Sequence, residues 1–321
     1  MTAVVPICVV VPTVLRPDAL ARCLDALLDG EVWPAAVLVI DQGGDEETAV
    51  VIATRAAAGL QVIHVRSALR GLSAARNTGL RQVSTPWVAF TDDDCVPSPT
   101  WLAAISRRAG APDAPDGVSG RVLPLGEPAP GTYPLSLRVS TEPAVFAGRA
   151  LPWEVGTGGN MALRVAAVRD VGGYDERLGS GTPGQAGEDL EIIHRLLRAG
   201  ATLAFDPDVI VLHARVTAPR RLSTRRSYGF GMGAFVGIWV RSDRWVATTL
   251  LRWMVGRLVA AAKALKARDP RRLREEALLV AGALAGIRFG WRLGSPLASE
   301  PRPQAAAAGP SGDLGVDLGQ L

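Results

Sequence analysis

Cysteines are scarce in this chain of 321 residues. The three that occur, Cys8, Cys23 and Cys95, stand in apolar or helical segments, and no CxxC pair is present. An odd number of isolated cysteines argues against a disulfide framework or a zinc knuckle. The chain also shows no internal repeat, so its length predicts one large α/β domain with additions or two small domains.

Two phosphate-binding signatures are absent. No GxGxxG follows the first apolar run, where TVLRPD stands instead, and no GxxxxGK[ST] occurs anywhere. Such loops surround phosphates with backbone N–H groups in dinucleotide-binding proteins and P-loop enzymes. Hydride transfer on a Rossmann fingerprint and P-loop phosphoryl transfer are therefore disfavoured, and a phosphate ligand must be held in another way.

Signals for secretion and for membrane spanning are also missing. The first residues lack the basic region of a signal peptide, and their apolar run ends at Pro12. In the apolar segments 246–266 and 277–293, arginine or lysine interrupts each run before it reaches the ~18–20 residues of a spanning helix. We expect the catalytic part to be cytoplasmic.

Apolar runs and helical stripes alternate through the first ninety residues. Strands are predicted at 7–11, 37–40, 62–65 and 87–90, with helices between them at about 17–28, 46–58 and 73–83. This order predicts parallel strands and a ligand crevice at their carboxyl ends. The later part is less regular, with strands predicted at 118–122 and 209–212, an irregular connection at 124–152, and a helix from Glu188 to Gly200.

An acidic triplet, Asp92-Asp93-Asp94, follows the fourth predicted strand. Three adjacent carboxylates repel one another, and a divalent cation that also bridges a ligand's phosphates would neutralise them. A solvated acidic turn is the alternative, because aspartate is common in turns. The triplet alone leaves both interpretations open.

Six segments in order resemble the motifs of family 2 glycosyltransferases, which have the GT-A fold. They cover about residues 5 to 215 and read VVVPTVLRPDAL, LVIDQGG, RGLSAARNTGL, WVAFTDDDCVPSPTWL, TGGNMAL with VGGYDERLG, and GEDLEIIHRLLRAG. Each motif is weak alone, and their order makes the resemblance specific. It implies an α/β fold with a mostly parallel, mixed sheet flanked by helices, and inverting transfer of a sugar from a nucleotide diphosphate.

The resemblance also implies how the donor is bound. Thr13 and Asp41 are expected to contact the base and ribose of a UDP- or dTDP-sugar, although Asp41 could instead cap the turn after it. Arg76 and Arg70 are expected to reach the nucleotide, although Arg76 could be an exposed helix arginine. The segment 158–160, with Gly159 and Asn160, is expected to wall the donor-sugar or acceptor site.

The metal and the catalytic carboxylates follow from the same resemblance. Asp92 and Asp94 match the D-x-D pattern, with Asp94 the direct ligand of Mg²⁺ or Mn²⁺, Asp92 nearer the ribose or the metal's waters, and Asp93 sharing either role. His213 is a further predicted metal ligand, or a packed histidine at a strand end. Asp189 is the expected general base and Glu188 orients the acceptor, although both acids also suit a helix N-terminus.

A basic segment follows the region of resemblance. Between 220 and 274 there are 14 arginines and lysines and two aspartates. We predict a catalytic domain at 1–219, a helical extension at 220–293 and a disordered, Pro/Ala/Gly-rich tail at 294–321. The extension is expected to lie on an anionic membrane surface, with four tryptophans at headgroup depth (Trp239, Trp245, Trp253 and Trp291), or to pack on the domain. Nucleic acid is disfavoured, because no recognition module accompanies the charge.

The predicted function is sugar transfer to a hydroxyl of a glycan, a lipid-linked saccharide or another glycoconjugate, in the cytoplasm or on the inner face of the plasma membrane. Two alternatives stay open. A nucleotidyltransferase that makes activated sugars should carry a Gly-rich basic signature after the first strand, where TVLRPD stands. A non-catalytic carbohydrate-binding protein would tolerate loss of Asp94 or Asp189, and both are present.

Overall fold

A nine-stranded mixed sheet forms the centre of the protein. The computed structural model describes residues 2–297, and most of the predicted tail lies outside them. The chain begins with the expected alternation of strands and helices, namely β1 (Ala3–Thr13), α1 (Pro17–Leu28), β2 (Val32–Asp41), α2 (Glu46–Ala57), β3 (Val62–Arg66), α3 (Leu72–Gln82) and β4 (Trp87–Thr91). Strand β1 pairs in parallel with β2 and β4, and β2 pairs in parallel with β3.

The second half of the sheet makes it mixed. Its elements are β5 (Cys95–Pro97), α4 (Trp101–Ala109), β6 (Gly117–Pro124), β7 (Thr132–Tyr133), β8 (Ala144–Phe146), α5 (Pro152–Val155), β9 (Asn160–Arg164), α6 (Val165–Asp170), α7 (Glu188–Arg198), β10 (Leu203–His213) and β11 (Val216–Thr217). The sheet order is β3-β2-β1-β4-β9-β6-β10-β5, with β8 beside β10. Strand β9 is antiparallel to both β4 and β6.

Strand β10 is longer than its apolar run predicts. It starts at Leu203, whereas the continuous apolar residues begin only at Val209. Between Phe205 and Ile210 its pairing with β6 shifts register. The interruption contains Asp206 and Pro207, which break the apolar pattern. Hydrophobic periodicity therefore does not predict the first part of this strand.

Apolar cores lie on both faces of the sheet. Successive residues of β1 belong to opposite cores, with Val10 packed on the side of α3 and Val9 and Val11 on the side of α1. Because both faces are covered, the strand reads as a continuous apolar run. The sequence signal for parallel strands therefore arises from this two-sided burial.

Three long helices, α8 (Ala218–Trp239), α9 (Trp245–Lys266) and α10 (Pro270–Leu293), follow the sheet. The sequence predicts a helical extension over 220–293, with apolar segments at 246–266 and 277–293, but sets no separate bounds for α8. Helices α8 and α10 meet along two glycine rows spaced four residues apart, Gly229, Gly233 and Gly237 on one helix and Gly282, Gly286 and Gly290 on the other. A Cβ at Gly286 would lie 2.0 Å from the Phe230 carbonyl oxygen, so these backbones are in direct contact.

The tryptophans of the extension do not form a common surface. Trp239 and Trp253 are each 6% exposed and lie in a third apolar core with Leu178 of the sheet-based part. The prediction that all four tryptophans reach headgroup depth is therefore wrong, since burial in this core stabilises these two rings. Trp291 is 48% exposed and packs under the Arg241 guanidinium. Within residues 2–297, no helix is long and apolar enough to cross a membrane.

Candidate active site

A cleft of about 930 Å³ opens where β1 and β4 end. One wall comes from these strand ends and from the loops before β9 and α7, and the other wall comes from α8, α9 and α10. The cleft brings together most of the predicted site residues, namely Thr13, Arg70, Arg76, Asp92, Asp93, Asp94, Gly159, Glu188, Asp189 and His213. Asp41 and Asn160 are not among the residues that line it.

Arg16 supplies a cation beside the acidic triplet. Its Nη1 donates to Asp93 Oδ1 at 2.9 Å and to Asp94 Oδ2 at 3.0 Å. Thr13 Oγ1 donates to the other Asp93 oxygen at 2.9 Å. Burial raises the pKa of Asp93 to about 6, against the opposing charge of Arg16. The sequence reading gave Arg16 no role, although it stands in the TVLRPD segment after the first strand.

Arg76 joins the two acidic motifs. Its side chain is 1% exposed and donates from Nη2 to Asp92 Oδ1 at 3.0 Å and from Nη1 to Glu188 Oε1 at 3.1 Å. Burial lowers the pKa of the guanidinium, but the carboxylates and the Tyr174 hydroxyl outweigh burial and raise it. The alternative of an exposed helix arginine is therefore wrong, and a permanent positive charge lies between the triplet and α7.

Glu188 and Asp189 occupy the first turn of α7, directly after Gly187 in a left-handed conformation. Asp189 Oδ2 accepts from the Gly158 N–H at 3.3 Å, and its Oδ1 accepts from the Leu190 N–H at 2.8 Å. Burial raises the pKa of Asp189 and raises that of Glu188 to about 7. A carboxylate whose pKa approaches neutrality can accept a proton from a hydroxyl group efficiently.

Asp94 and His213 form a pair suited to a divalent cation. His213 Nδ1 lies 2.8 Å from the Ala214 carbonyl oxygen, to which it donates, so Nε2 is the ring nitrogen left to face a cation. Nε2 lies 3.7 Å from Asp94 Oδ1, and Cys95 Sγ is within 4.8 Å of both. Burial raises the pKa of the Cys95 thiol well above its usual value, which disfavours a thiolate there. Carboxylate oxygen and imidazole nitrogen without thiolate fit Mn²⁺ or Mg²⁺.

Asp41 serves the turn that follows it. Its carboxylate is buried and accepts from the N–H groups of Gly43 and Gly44 at 2.8 and 2.9 Å, and His64 Nε2 lies 2.9 Å from its other oxygen. These contacts are those of the turn-capping alternative. Contact between Asp41 and a nucleotide base stays a prediction, and no contact of Asp41 in this structure supports it.

Asn160 stabilises the sheet instead of walling the cleft. Its side-chain oxygen accepts from Trp101 Nε1 at 2.8 Å, and its amide nitrogen donates to the carbonyls of Arg121 and Val209 at 2.8 and 3.0 Å. The amide is fully buried, and these bonds leave it no free group for a ligand. The prediction for Asn160 is therefore wrong.

Helix α8 rests directly on the loop that leads into α7. A Cβ at Gly231 would lie 2.6 Å from the Gly187 nitrogen, so the two segments touch through their backbones. Tyr228, one turn earlier on α8, bonds Ser136 through its hydroxyl at 2.6 Å and lines the cleft. Burial raises the pKa of Tyr228, and the nearby negative charge of Asp189 adds to the rise. The extension thus builds part of the site.

The model of the glycosyl transferase family 2 matches residues 8–172. The chain belongs to glycosyltransferase family 2. The matched range contains the acidic triplet and Arg76 and ends before α7, so Glu188, Asp189 and His213 lie beyond it. The fold nevertheless brings these three residues close to the acidic triplet.

Two curated relatives are named glycosyltransferases. The pre-mycofactocin glycosyltransferase of Mycobacterium tuberculosis is 31% identical over 172 residues, which cover 51% of this chain and 34% of that protein. The glycosyltransferase AglE of Haloferax volcanii is 29% identical over 223 residues, which cover 66% and 68%. The family 2 chain thus spans about a third of the length of its mycobacterial relative.

Solved structures show the same fold. A mannosyltransferase from Pyrobaculum calidifontis in complex with GDP-Man and Mn²⁺ has a TM-score of 0.56 at 16% identity, over 89% of this chain and 88% of that one. TarS of S. aureus also has a TM-score of 0.56, at 15% identity, over 79% of this chain and 42% of that one. The predicted GT-A fold is confirmed.

Proposed function

We propose that this chain is an inverting glycosyltransferase that moves a sugar from a nucleotide diphosphate to a hydroxyl of a glycan, a lipid-linked saccharide or another glycoconjugate. The observation that carries the proposal is the bridge of Arg76 from Asp92 to Glu188. This bridge holds a donor-binding motif and an acid pair in one cleft, as transfer between two bound substrates requires.

Asp189 is the proposed general base. It takes the proton from the acceptor hydroxyl while that oxygen attacks the anomeric carbon on the face opposite the departing nucleotide diphosphate. Its raised pKa suits this step, and the Gly158 N–H holds one carboxylate oxygen in place. Glu188, tied to Arg76, orients the acceptor beside it.

Asp94 and His213, with Asp92 beside them, would hold Mg²⁺ or Mn²⁺. When bound, such an ion stabilises the negative charge that develops on the diphosphate leaving group. Arg16 adds positive charge at the same place, because its guanidinium already contacts Asp93 and Asp94. The Mn²⁺ in the structure of the Pyrobaculum mannosyltransferase supports this assignment.

For the donor we propose a uridine or thymidine diphosphate sugar. Thr13 and Arg70 line the cleft on the side of β1. Gly159 lies so near the triplet that a Cβ there would be 2.8 Å from Asp92 Oδ2. A side chain at this position would displace Asp92, so glycine keeps the approach to the triplet open.

A screen of product-nucleotide release tests the proposal. UDP-, dTDP- and GDP-sugars are offered with Mn²⁺, Mg²⁺ or EDTA to the wild type, to Asp189→Asn, and to Asp18→Asn as a control at an exposed carboxylate. We expect a metal-dependent turnover that Asp189→Asn lowers by about 10²–10⁴-fold and Asp18→Asn leaves unchanged. Metal-independent turnover that survives Asp189→Asn would refute the mechanism.

Two additional assays separate the alternative functions: pyrophosphate release from a nucleoside triphosphate and a sugar phosphate, and sugar binding without turnover. A nucleotidyltransferase would release pyrophosphate from a nucleoside triphosphate and a sugar phosphate. A carbohydrate-binding protein would bind sugar without turnover, and the Asp189→Asn variant would bind it equally well. Either result would replace the proposed activity.

We also propose that the extension, 220–293, docks on an anionic membrane surface through α9. Four apolar side chains lie on one face of this helix and are 51–68% exposed, namely Leu251, Val255, Leu258 and Leu265. Exposed Arg252, Lys263 and Lys266 flank them on the same helix. An apolar stripe bordered by basic residues suits the interface of anionic lipids.

Sedimentation with lipid vesicles tests this docking. The wild type is expected to pellet with phosphatidylglycerol vesicles and less with phosphatidylcholine vesicles. Leu251→Ser combined with Leu258→Ser should release it, while Val50→Ser, at an exposed apolar residue of α2, should not. Equal pelleting of all three proteins would exclude α9 as the docking face.

A further inference from the structure

The helical end of the cleft carries the opposite charge to the triplet end. Five arginines line it, namely Arg220, Arg221, Arg225, Arg271 and Arg272, and we call them the basic end. The acidic residues that line the same part are Asp269, Glu275 and Glu276. The basic end therefore keeps a surplus of positive charge beside the cleft.

The two glutamates are already shared among several arginines. Glu275 receives two bonds from Arg221, at 2.8 and 2.9 Å, and lies 3.6 Å from Arg271. Glu276 accepts from Arg225 at 3.4 Å and from Arg257 at 3.2 Å. The two carboxylates are thus shared among four guanidinium groups.

Two buried donors of the cleft lack hydrogen-bond acceptors. Arg225 is 4% exposed, and its Nε has no hydrogen-bond partner within the described part of the chain. Trp153 is 5% exposed, and its indole N–H also has no hydrogen-bond partner within the described residues. Unsatisfied buried donors cost free energy, and Arg225 Nε has the Glu275 carboxylate oxygen only at 3.7 Å. Burial also lowers the pKa of Arg225 to about 10.

Exposed arginines stand at the opening of the basic end. Arg220 is exposed and makes no ion pair with any residue between 2 and 297. Arg271 is held over the Tyr133 ring, with its guanidinium carbon 4.1 Å from the centroid, which fixes its direction. A ligand can reach both guanidinium groups without displacing a buried ion pair.

We propose that the basic end binds the phosphate or diphosphate group of a phosphorylated acceptor and so presents the acceptor's hydroxyl to Asp189. The inference rests on the proposed function. The donor's diphosphate is assigned to the other end of the cleft, where Arg16, Arg76 and the metal-binding carboxylates lie. A second anionic group therefore explains the charge of the helical wall, because guanidinium groups bind phosphate through paired, charge-assisted hydrogen bonds.

Calorimetric titration with inorganic pyrophosphate in EDTA tests the site directly, because metal-dependent binding at the triplet is suppressed. The wild type is compared with the double variant Arg220→Gln/Arg271→Gln. The matched control is Arg268→Gln/Arg274→Gln, which removes two exposed charges outside the cleft. We expect about tenfold or greater weakening in the first double variant and none in the control. The proposal is overturned if the wild type shows no saturable binding of pyrophosphate. It is also overturned if the two double variants lose affinity for pyrophosphate equally.

Competition then separates the two sources of the phosphate. A soluble sugar phosphate and a short polyprenyl diphosphate in detergent are each titrated against bound pyrophosphate. Displacement by the lipid at a concentration about tenfold lower assigns a lipid-linked acceptor, equal displacement assigns a soluble one, and displacement by neither overturns the site. Because these measurements need no turnover, failure of the donor screen would refute the proposed activity and leave the anion site standing.

Discussion

The sheet-based part of the molecule and the three-helix extension hold their charged groups in different ways. In the sheet-based part, charged side chains stand at strand ends, and Arg76 connects two acidic motifs that are far apart in sequence. In the extension, arginines and glutamates pair between helices whose backbones touch at glycines. The first arrangement depends on strand register, and the second depends on the distance between helices.

This difference shows what each region contributes to the cleft. The carboxyl ends of parallel strands lie along one edge of the sheet. Their terminal residues therefore come together whatever path the intervening loops take. The helices have no such common edge, and their side chains reach the cleft only because α8 and α10 approach closely. Changes at strand ends should therefore alter chemistry, and changes at the glycines should alter stability.

In this comparison of the two regions, the largest effect is expected at the proposed metal ligands of the sheet-based part. Asp94→Asn and His213→Gln should each lower turnover by about 10²–10³-fold and weaken Mn²⁺ binding, because the first removes a negative charge and the second removes the imidazole nitrogen from the proposed cation site. Titration of Mn²⁺ followed by electron paramagnetic resonance measures the binding. The control is Cys95→Ser, which should retain Mn²⁺ affinity because Mn²⁺ prefers oxygen and nitrogen ligands to sulfur. If Cys95→Ser weakens Mn²⁺ binding as much as the other two substitutions do, sulfur is a ligand of the cation.

The matching test of the extension is Gly286→Ala, at the contact between α8 and α10. The new methyl group would lie 2.0 Å from the Phe230 carbonyl oxygen, so α8 and α10 must separate. We expect the free energy of unfolding to fall by about 3 kcal/mol in chemical denaturation. Ala285→Leu, on the exposed face of the same helix, should change it by less than about 0.5 kcal/mol. Similar losses in both variants would mean that the glycine contact is unimportant.

The strands and the triplet of the sheet-based part were predictable because their signals are local. A strand buried on both faces reads as an apolar run, and the residue that follows it is its carboxyl end. Side-chain direction was harder to predict. Asn160 directly follows a glycine-rich loop, yet its amide points into the sheet and bonds Trp101, a contact that depends on the pairing of β9 with β4.

The extension was less predictable because its signal lies in glycine spacing. Gly229, Gly233 and Gly237 lower helix propensity and interrupt apolar periodicity, so the sequence sets no bounds for α8 within the predicted helical extension. Their spacing of four residues repeats in α10 and is the sequence pattern of close helix contact. The prediction that all four tryptophans reach headgroup depth failed for a related reason, because an amphipathic pattern does not distinguish a membrane from a protein core.

Acid sensitivity tests how the two regions are joined. His194 of α7 is buried among Phe235, Trp239 and Trp245, with Asp243 Oδ2 3.5 Å from its Nε2. Burial lowers its pKa to about 4, below the value of about 6.5 for an unfolded chain. The depressed pKa stabilises the folded state above pH 6.5, and this contribution is lost as the pH falls toward 4.

Between pH 7 and pH 5 this histidine should reduce the free energy of unfolding by about 2 kcal/mol. Urea denaturation at both pH values measures the change. His194→Phe keeps an aromatic ring in the cluster and removes the titrating group, so its stability should depend less on pH over this range. An unaltered pH dependence in His194→Phe would assign the acid sensitivity to other residues.

The smallest expected effect concerns the acid pair of the sheet-based part. The base must be deprotonated to act, so turnover should fall with decreasing pH, with a midpoint above the usual carboxyl range of about 4 because burial raises the pKa values of both Asp189 and Glu188. Glu188→Gln removes a neighbouring negative charge and leaves the Arg76 charge less neutralised. Both changes favour the ionised form of Asp189, so the midpoint should move down by about one pH unit. A profile of kcat/KM against pH measures it, and a midpoint that stays fixed or moves upward would mean that Asp189 is not the group whose ionisation controls turnover.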